Sequence, residues 1–262
     1  MAESEILVVL PTLGTRNDLL RGALESVANQ RADVSLRIAL VCPEGATEAR
    51  ALGDEFGATW VADPGRGMSA AMNAGQALAT TEEYTIWLGD DDRYEPGGLK
   101  TLRDLLAKTP DAPVAYGACH YVDQSGVTLW TSAAGAWAAR LIGIGPNLIP
   151  HPAALIRLDL LTRVGGYRED LSLVMDLDVF LRLRRLGAFA STRTPVARFG
   201  WQPDSLTVSS RRQSEAEARR VKREHLPAWA RPLSWLWEWP VAWASRFAAW
   251  RLNGRTSSPS TR

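Results

Sequence analysis

The sequence predicts an α/β fold: a mixed, mostly parallel central sheet flanked by helices, with a C-terminal helical tail. Three observations predict it. In the first half, apolar runs of strand length alternate with helix-period segments of about ten to fifteen residues, the pattern of βαβ units. The first four strand-like runs end at "PTLGT", "CPEGAT", "ADPGRG" and "GDDD", each rich in glycine, proline or acid. The chain has 262 residues, 46% of them hydrophobic, enough for a large core.

Each element follows from its residues. "EILVVLP" reads as a buried strand and "TRNDLLRGALESVANQ" as a helix with Leu19, Leu20, Ala23, Leu24 and Val27 on one face. "SLRIALVC" is a strand, "TEARALGDEFG" a helix closed by Gly57, "ATWVA" a strand, "SAAMNAGQALATT" a helix and "YTIWL" a strand. Pro96 suits a first helical position, with Glu95 as cap, for the helix "GGLKTLRDLLAK". "PVAYGACHYVD" and "VTLWTS" read as an antiparallel pair joined at "QSG", while "AAGAWAARLIGIGPN" stays open between a loop and a short helix. "LSLVMDLDVFLRLRRLG" is a helix closed by Gly187, "AFASTRTPVARFGW" one or two strands, and residues 210–225 a charged helix. Ligands of such sheets sit at the carboxyl ends of the strands, so the four strand ends mark the expected site.

Composition excludes several classes. Net charge is +1, giving no global field for nucleic acid. Cys42 and Cys119 lack metal-type spacing, which argues against a disulfide scaffold and for a reducing, cytoplasmic setting. "MAESEILVVLP" has no basic n-region and reads as a first strand.

"GDDDR" places Asp90, Asp91 and Asp92 side by side, with no base before Arg93 in that stretch. It is either a solvated acidic turn or a site for an external cation. Mg²⁺ or Mn²⁺ takes oxygen ligands from one or two carboxylates and substrate phosphates. Strand alternation would point Asp90 and Asp92 the same way and Asp91 elsewhere. Asp92 is therefore the expected metal ligand, with Asp90 at the metal's water shell or a ribose hydroxyl.

Three stretches in order carry a resemblance: "VVLPTLGTRNDLLRGALESVANQ", "DPGRGMSAAMNAGQALATTEEYTIWLGDDD" and "IPHPAALIRLDLLTRVGGYREDLSLVMDLDVFLRL". Over about residues 5 to 210 the chain resembles the inverting nucleotide-sugar glycosyltransferases of family 2, with their Rossmann-like GT-A fold. The resemblance implies a catalytic domain over 1–210, with a nucleotide-sugar half of about 1–95 and an acceptor half of about 96–210. It implies transfer of a sugar from a nucleotide-diphosphate sugar, with Asp176 as base and Asp178 as runner-up. Donor contacts would come from Pro11, Thr12, Glu44, Arg66, Asn73, Asp90 and Asp91; for Asn73, loop support is the other reading. His151 would touch diphosphate or acceptor, and Ser205, Arg211 and Arg212 would lie in a segment closing over the phosphates. Two departures stand out: "CPEGAT" keeps only Glu44 of two acids usual there, and Met175 precedes Asp176 where an acid is usual. A catalytically silent nucleotide-sugar-binding partner and a nucleotidyltransferase are the rival readings.

Residues 211–252 form a basic, tryptophan-rich tail, and 253–262 read as disordered. Trp235, Trp239, Trp243 and Phe247 recur at i+4, which suits core packing, a dimer interface or a membrane interface. With the arginine cluster before it, the tail suggests peripheral attachment to a cytoplasmic membrane face and a lipid-linked or cell-envelope glycan as acceptor.

Overall fold

Four parallel strands carry the first half of the chain. The computed structural model describes residues 5–132, 135–201 and 211–233. β1 (Ile6–Pro11), β2 (Leu36–Cys42), β3 (Thr59–Ala62) and β4 (Tyr84–Trp87) alternate with α1 (Asn17–Ala28), α2 (Thr47–Glu55) and α3 (Met68–Gln76). Pro11 registers with Val41, Cys42 with Ala62 and Val9 with Trp87, so the four carboxyl ends meet along one edge. This is the edge expected from the strand-end residues.

The second half completes a nine-stranded sheet. β5 (Arg93–Tyr94) and α4 (Gly98–Lys108) precede β6 (Val114–Val122), β7 (Thr128–Ser132) and α5 (Ala136–Leu141). β8 (Ala154–Arg157), α6 (Leu158–Arg163), α7 (Met175–Leu183), β9 (Ala190–Gly200) and α8 (Arg211–His225) follow. The order is β3-β2-β1-β4-β8-β6-β9-β5, with β7 paired to β6. β8 runs antiparallel to β4 and β6, β7 antiparallel to β6, and β9 parallel to β6. The sheet is thus parallel in its first half and mixed in its second.

Alternation along β1 splits the core in two. Ile6, Val8 and Leu10 pack with Leu20, Leu24, Leu52 and Leu102, placing α1, α2 and α4 on one face. Leu7 and Val9 pack with Met72, Phe180 and Val221 on the other, under α3, α7 and α8. Val221 is fully buried, a contribution of about 1.5–3 kcal/mol, so α8 packs on the same face of the sheet as α3 and α7. Cys42 and Cys119 are buried free thiols.

Two local expectations are corrected, and one left open is resolved. α4 starts at Gly98 with Gly97 as its N-cap at φ 67°, a left-handed conformation suited to glycine. Glu95 does not cap it; its carboxylate pairs with Arg198 of β9 at 2.7 Å. "AFASTRTPVARFGW" forms one strand, with Pro195 at a register shift against β6, where its missing N–H is tolerated. α7 is shorter than the pattern suggests, since a turn takes over after Leu183. Among the described residues no helix is long and apolar enough to cross a membrane. The tail's tryptophan stripe from Trp235 to Phe247 and the 253–262 terminus lie outside the described residues.

Candidate active site

The chain turns immediately after β4. The Asp92 N–H donates to the Gly89 carbonyl at 3.2 Å, which puts Asp90 and Asp91 at the centre of a turn. Strand alternation stops there, so Asp90 and Asp92 do not share a direction. Asp92 points into the protein: it is 1% exposed, and its two oxygens accept N–H bonds from Gly89 at 3.2 Å and Gly200 at 3.0 Å. Burial, then the charge of Asp91, pushes Asp92 up to about 8. Its contacts tie the end of β4 to the end of β9.

Asp90 and Asp91 converge instead on Arg16, from the loop between β1 and α1. Arg16 Nη2 pairs with Asp90, and Nη1 lies 2.9 Å from Asp91 Oδ2. The Thr12 hydroxyl donates to Asp90 at 2.7 Å. Burial raises the Asp90 carboxyl, with Thr12 and Arg16 acting against it. The cation missing from the local stretch is therefore supplied by this chain, from 74 residues upstream. Nothing local in the sequence marks Arg16.

The other strand ends are less convergent. Pro11 is buried, and Thr12 also accepts the Gly14 N–H at 3.0 Å. Glu44 is exposed, with only its carbonyl near Arg50. Arg66 pairs with Glu169 at 2.5 Å. Asn73 grips the backbone of Tyr167: its Nδ2 donates to the carbonyl at 2.8 Å and its Oδ1 accepts the N–H at 2.9 Å. Those contacts fit the loop-support reading. Ser205 lies outside the described residues; Arg211 and Arg212 open α8, and their side chains are likewise not described.

Asp176 faces a cleft of about 520 Å³, lined by Trp87, Tyr121, His151 and Trp201 on the sheet side and by Arg219 and Lys222 of α8 on the other. It stands in the first turn of α7. Asn147 Nδ2 donates to Oδ2 at 2.8 Å and the Leu177 N–H to Oδ1 at 2.7 Å. Burial pushes Asp176 up to about 6, against the pull of those donors. Asn147, in the stretch left open by its sequence, is a contact that pattern reading missed.

Asp178 has the opposite environment. It is fully buried beside Arg182 (2.6 Å), His225 (3.1 Å) and Arg168 (3.5 Å). Burial alone would raise it, but His225, Arg182 and Arg168 together hold it below the usual carboxylate range. Two nearby carboxylates thus have environments that shift them in opposite directions.

His151 stacks on Trp87 at 4.9 Å and shares a 2.8 Å hydrogen bond with the Tyr167 hydroxyl. Burial drives it down to about 3, so the ring is neutral and has no positive charge to offer a diphosphate. The indole N–H of Trp87 is buried with no hydrogen-bond partner among the described residues.

Known structures share this architecture. The chain is similar to S. aureus TarS 1–349 in complex with UDP-GlcNAc, with a TM-score of 0.65 at 13% identity over 84% of this chain and 66% of that one. It is also similar to the mannosyltransferase PcManGT from Pyrobaculum calidifontis in complex with GDP-Man and Mn²⁺, with a TM-score of 0.62 at 17% identity over 99% of this chain and 77% of that one. At such identities the likeness shows the fold, which is GT-A. The chain spans just under two thirds of the TarS 1–349 chains. No curated protein matches it. The sequence model described as glycosyl transferase family 2 matches residues 7–150, which carry β1 through the acidic turn and on to the Asn147 loop. That match covers more than half of the chain, and the chain therefore belongs to glycosyl transferase family 2.

Proposed function

We propose that the protein is a metal-dependent inverting glycosyltransferase that moves a sugar from a nucleotide-diphosphate sugar to an acceptor hydroxyl, with Asp176 as base. The observation that carries this reading is Asp176 itself, a carboxylate raised to about 6 at the wall of the cleft. A base of that strength is ionised at neutral pH yet still basic enough to take a proton as the acceptor oxygen attacks. Asn147 and the Leu177 N–H orient the carboxylate. Asp178, already paired with Arg182 and Arg168, has the structural part.

A divalent cation, Mn²⁺ or Mg²⁺, fits the turn after β4, with Asp90 and Asp91 holding it in place of the Asp92 read from the sequence. That pair already balances one cation, Arg16, through hard oxygen donors. Among the described residues no three His, Cys, Asp or Glu side chains form a ready-made cage. When bound, it would compensate charge on the departing diphosphate. Thr12 orients Asp90, and the Arg16 guanidinium beside it would offer donors to a diphosphate.

The cleft is walled largely by apolar and aromatic side chains, which supports a lipid-linked or cell-envelope glycan as acceptor. The basic, tryptophan-rich tail supports peripheral attachment to a membrane. A thermal-shift panel of UDP, GDP, TDP and CMP sugars, with and without Mn²⁺, identifies the donor by the stabilisation that binding confers. With that donor, Asp176→Asn is expected to abolish transfer and leave donor affinity within about twofold. Full turnover in the variant removes the base assignment, and wild-type protein that binds donor without transferring or hydrolysing it marks a silent binder.

A further inference from the structure

α7 begins without a cap of its own. The residue before it is Val174, which has no side-chain acceptor for the free N–H groups at a helix start. Glu217 of α8 instead holds the segment that leads into the helix, from 43 residues away. Its Oε2 accepts the N–H groups of Leu173 (2.8 Å) and Val174 (3.1 Å), and its Oε1 that of Ser172 (3.1 Å). Asp176 follows two residues after Val174.

Other contacts fix α8 in the same place. Val221 is buried in the core beneath α7, Arg168 pairs with Glu224 at 2.6 Å, and Lys222 donates to the Gly145 carbonyl at 2.6 Å, two residues before Asn147. α8 therefore braces both supports of the Asp176 carboxylate: the start of α7 through Glu217, and the Asn147 loop through Lys222.

We propose that Glu217 is a positioning residue for Asp176, and that α8, outside the family match at 7–150, belongs to the catalytic apparatus. The proposal rests on the reading of Asp176 as base. Its physical content is an anchor: three N–H bonds to one carboxylate hold residues 172–174, and a displacement of about 1 Å at a reacting group can lower a rate about a hundredfold.

The test compares Glu217→Ala and Glu217→Gln with wild type in transfer kinetics, nucleotide-diphosphate affinity by calorimetry, and amide hydrogen exchange. Glu217→Ala is expected to lower kcat about a hundredfold, leave donor affinity within about twofold, and speed exchange at residues 172–177 but not along β1–β4. Glu217→Gln keeps one accepting oxygen and should fall only about three- to tenfold in kcat, with faster exchange at Ser172. If Glu217→Ala does not fold, the Gln variant decides alone: wild-type kcat and wild-type Ser172 exchange overturn the proposal. An Ala variant with kcat within about threefold of wild type, or with donor affinity and kcat lost together, also overturns it. Those results leave the base assignment intact, whereas an active Asp176→Asn overturns both.

Discussion

Arg16 and Asp91 lie 2.9 Å apart, guanidinium to carboxylate, across a separation of 75 residues. The same guanidinium pairs with Asp90, so one cation from the β1–α1 loop spans both central residues of the turn after β4. Without it, two adjacent carboxylates would repel each other at the end of a buried strand. Arg16 is 42% exposed, so solvent screens the pair and limits its worth. The arrangement holds the turn in shape.

Arg16→Ala should therefore change cation binding in a definite direction. With the internal competitor gone, donor-free protein is expected to bind Mn²⁺ about tenfold more tightly, a difference of about 1.4 kcal/mol. Calorimetric titration of Mn²⁺ into both proteins checks it. Unchanged or weaker affinity would place the ion away from Asp90 and Asp91.

The raised carboxyl of Asp176 gives a pH signature. Below about 6 it is protonated and cannot accept the acceptor's proton, so kcat/KM should rise with pH through an apparent value near 6 and then level off. Stability runs the other way. The folded state holds this proton to higher pH than the unfolded chain does, so the group's contribution to stability falls as pH rises from about 4 to 6. Asp176→Asn should raise the free energy of unfolding at pH 7.5 by on the order of 1–3 kcal/mol, seen as a higher melting temperature, and give little gain at pH 4. Thermal unfolding at the two pH values checks the sign.

How much of this was legible follows from the range of each interaction. β1 to β4 and their helices follow from local periodicity, and parallel register then brings "PTLGT" and "GDDD" to one edge. Asp176 was singled out by its place in a recognisable stretch, and the structure sets it at the wall of the cleft. The facing of Asp90, Asp91 and Asp92 was not, because period-two alternation applies only inside a strand and the strand stops at Trp87. Arg16, Asn147 and Glu217 were invisible for a related reason: each acts on a partner 29 to 75 residues away, and nothing in its own neighbourhood announces that partner.

The tail yields a prediction separable from catalysis. Tryptophan favours the headgroup level, and basic residues near an anionic surface contribute about 1 kcal/mol each. The full chain should float with vesicles containing anionic lipid, and a chain ended after Leu226 should not. Equal partitioning of the two removes the tail from membrane binding, and light scattering of both reports any dimer it forms instead.

The last prediction concerns how tightly α3 sits on the sheet. Replacing a mid-helix glycine by alanine ordinarily stabilises a helix by about 1 kcal/mol. At Gly75 the sign should reverse. A Cβ there would lie 2.4 Å from Val9 Cγ1 and 2.9 Å from Val41 Cγ2, inside the packed layer between α3, β1 and β2. Overpacking of that kind costs about 1–3 kcal/mol, enough to outweigh the helix gain. Gly75→Ala should therefore unfold at lower urea with an unchanged slope. It should also speed exchange at Tyr167, because Asn73 sits two residues before Gly75 on the same helix and holds that backbone. A stabilised variant would mean that α3 rides up from the valines without cost, and Asn73 would then be a poor anchor for the loop that leads to Asp176.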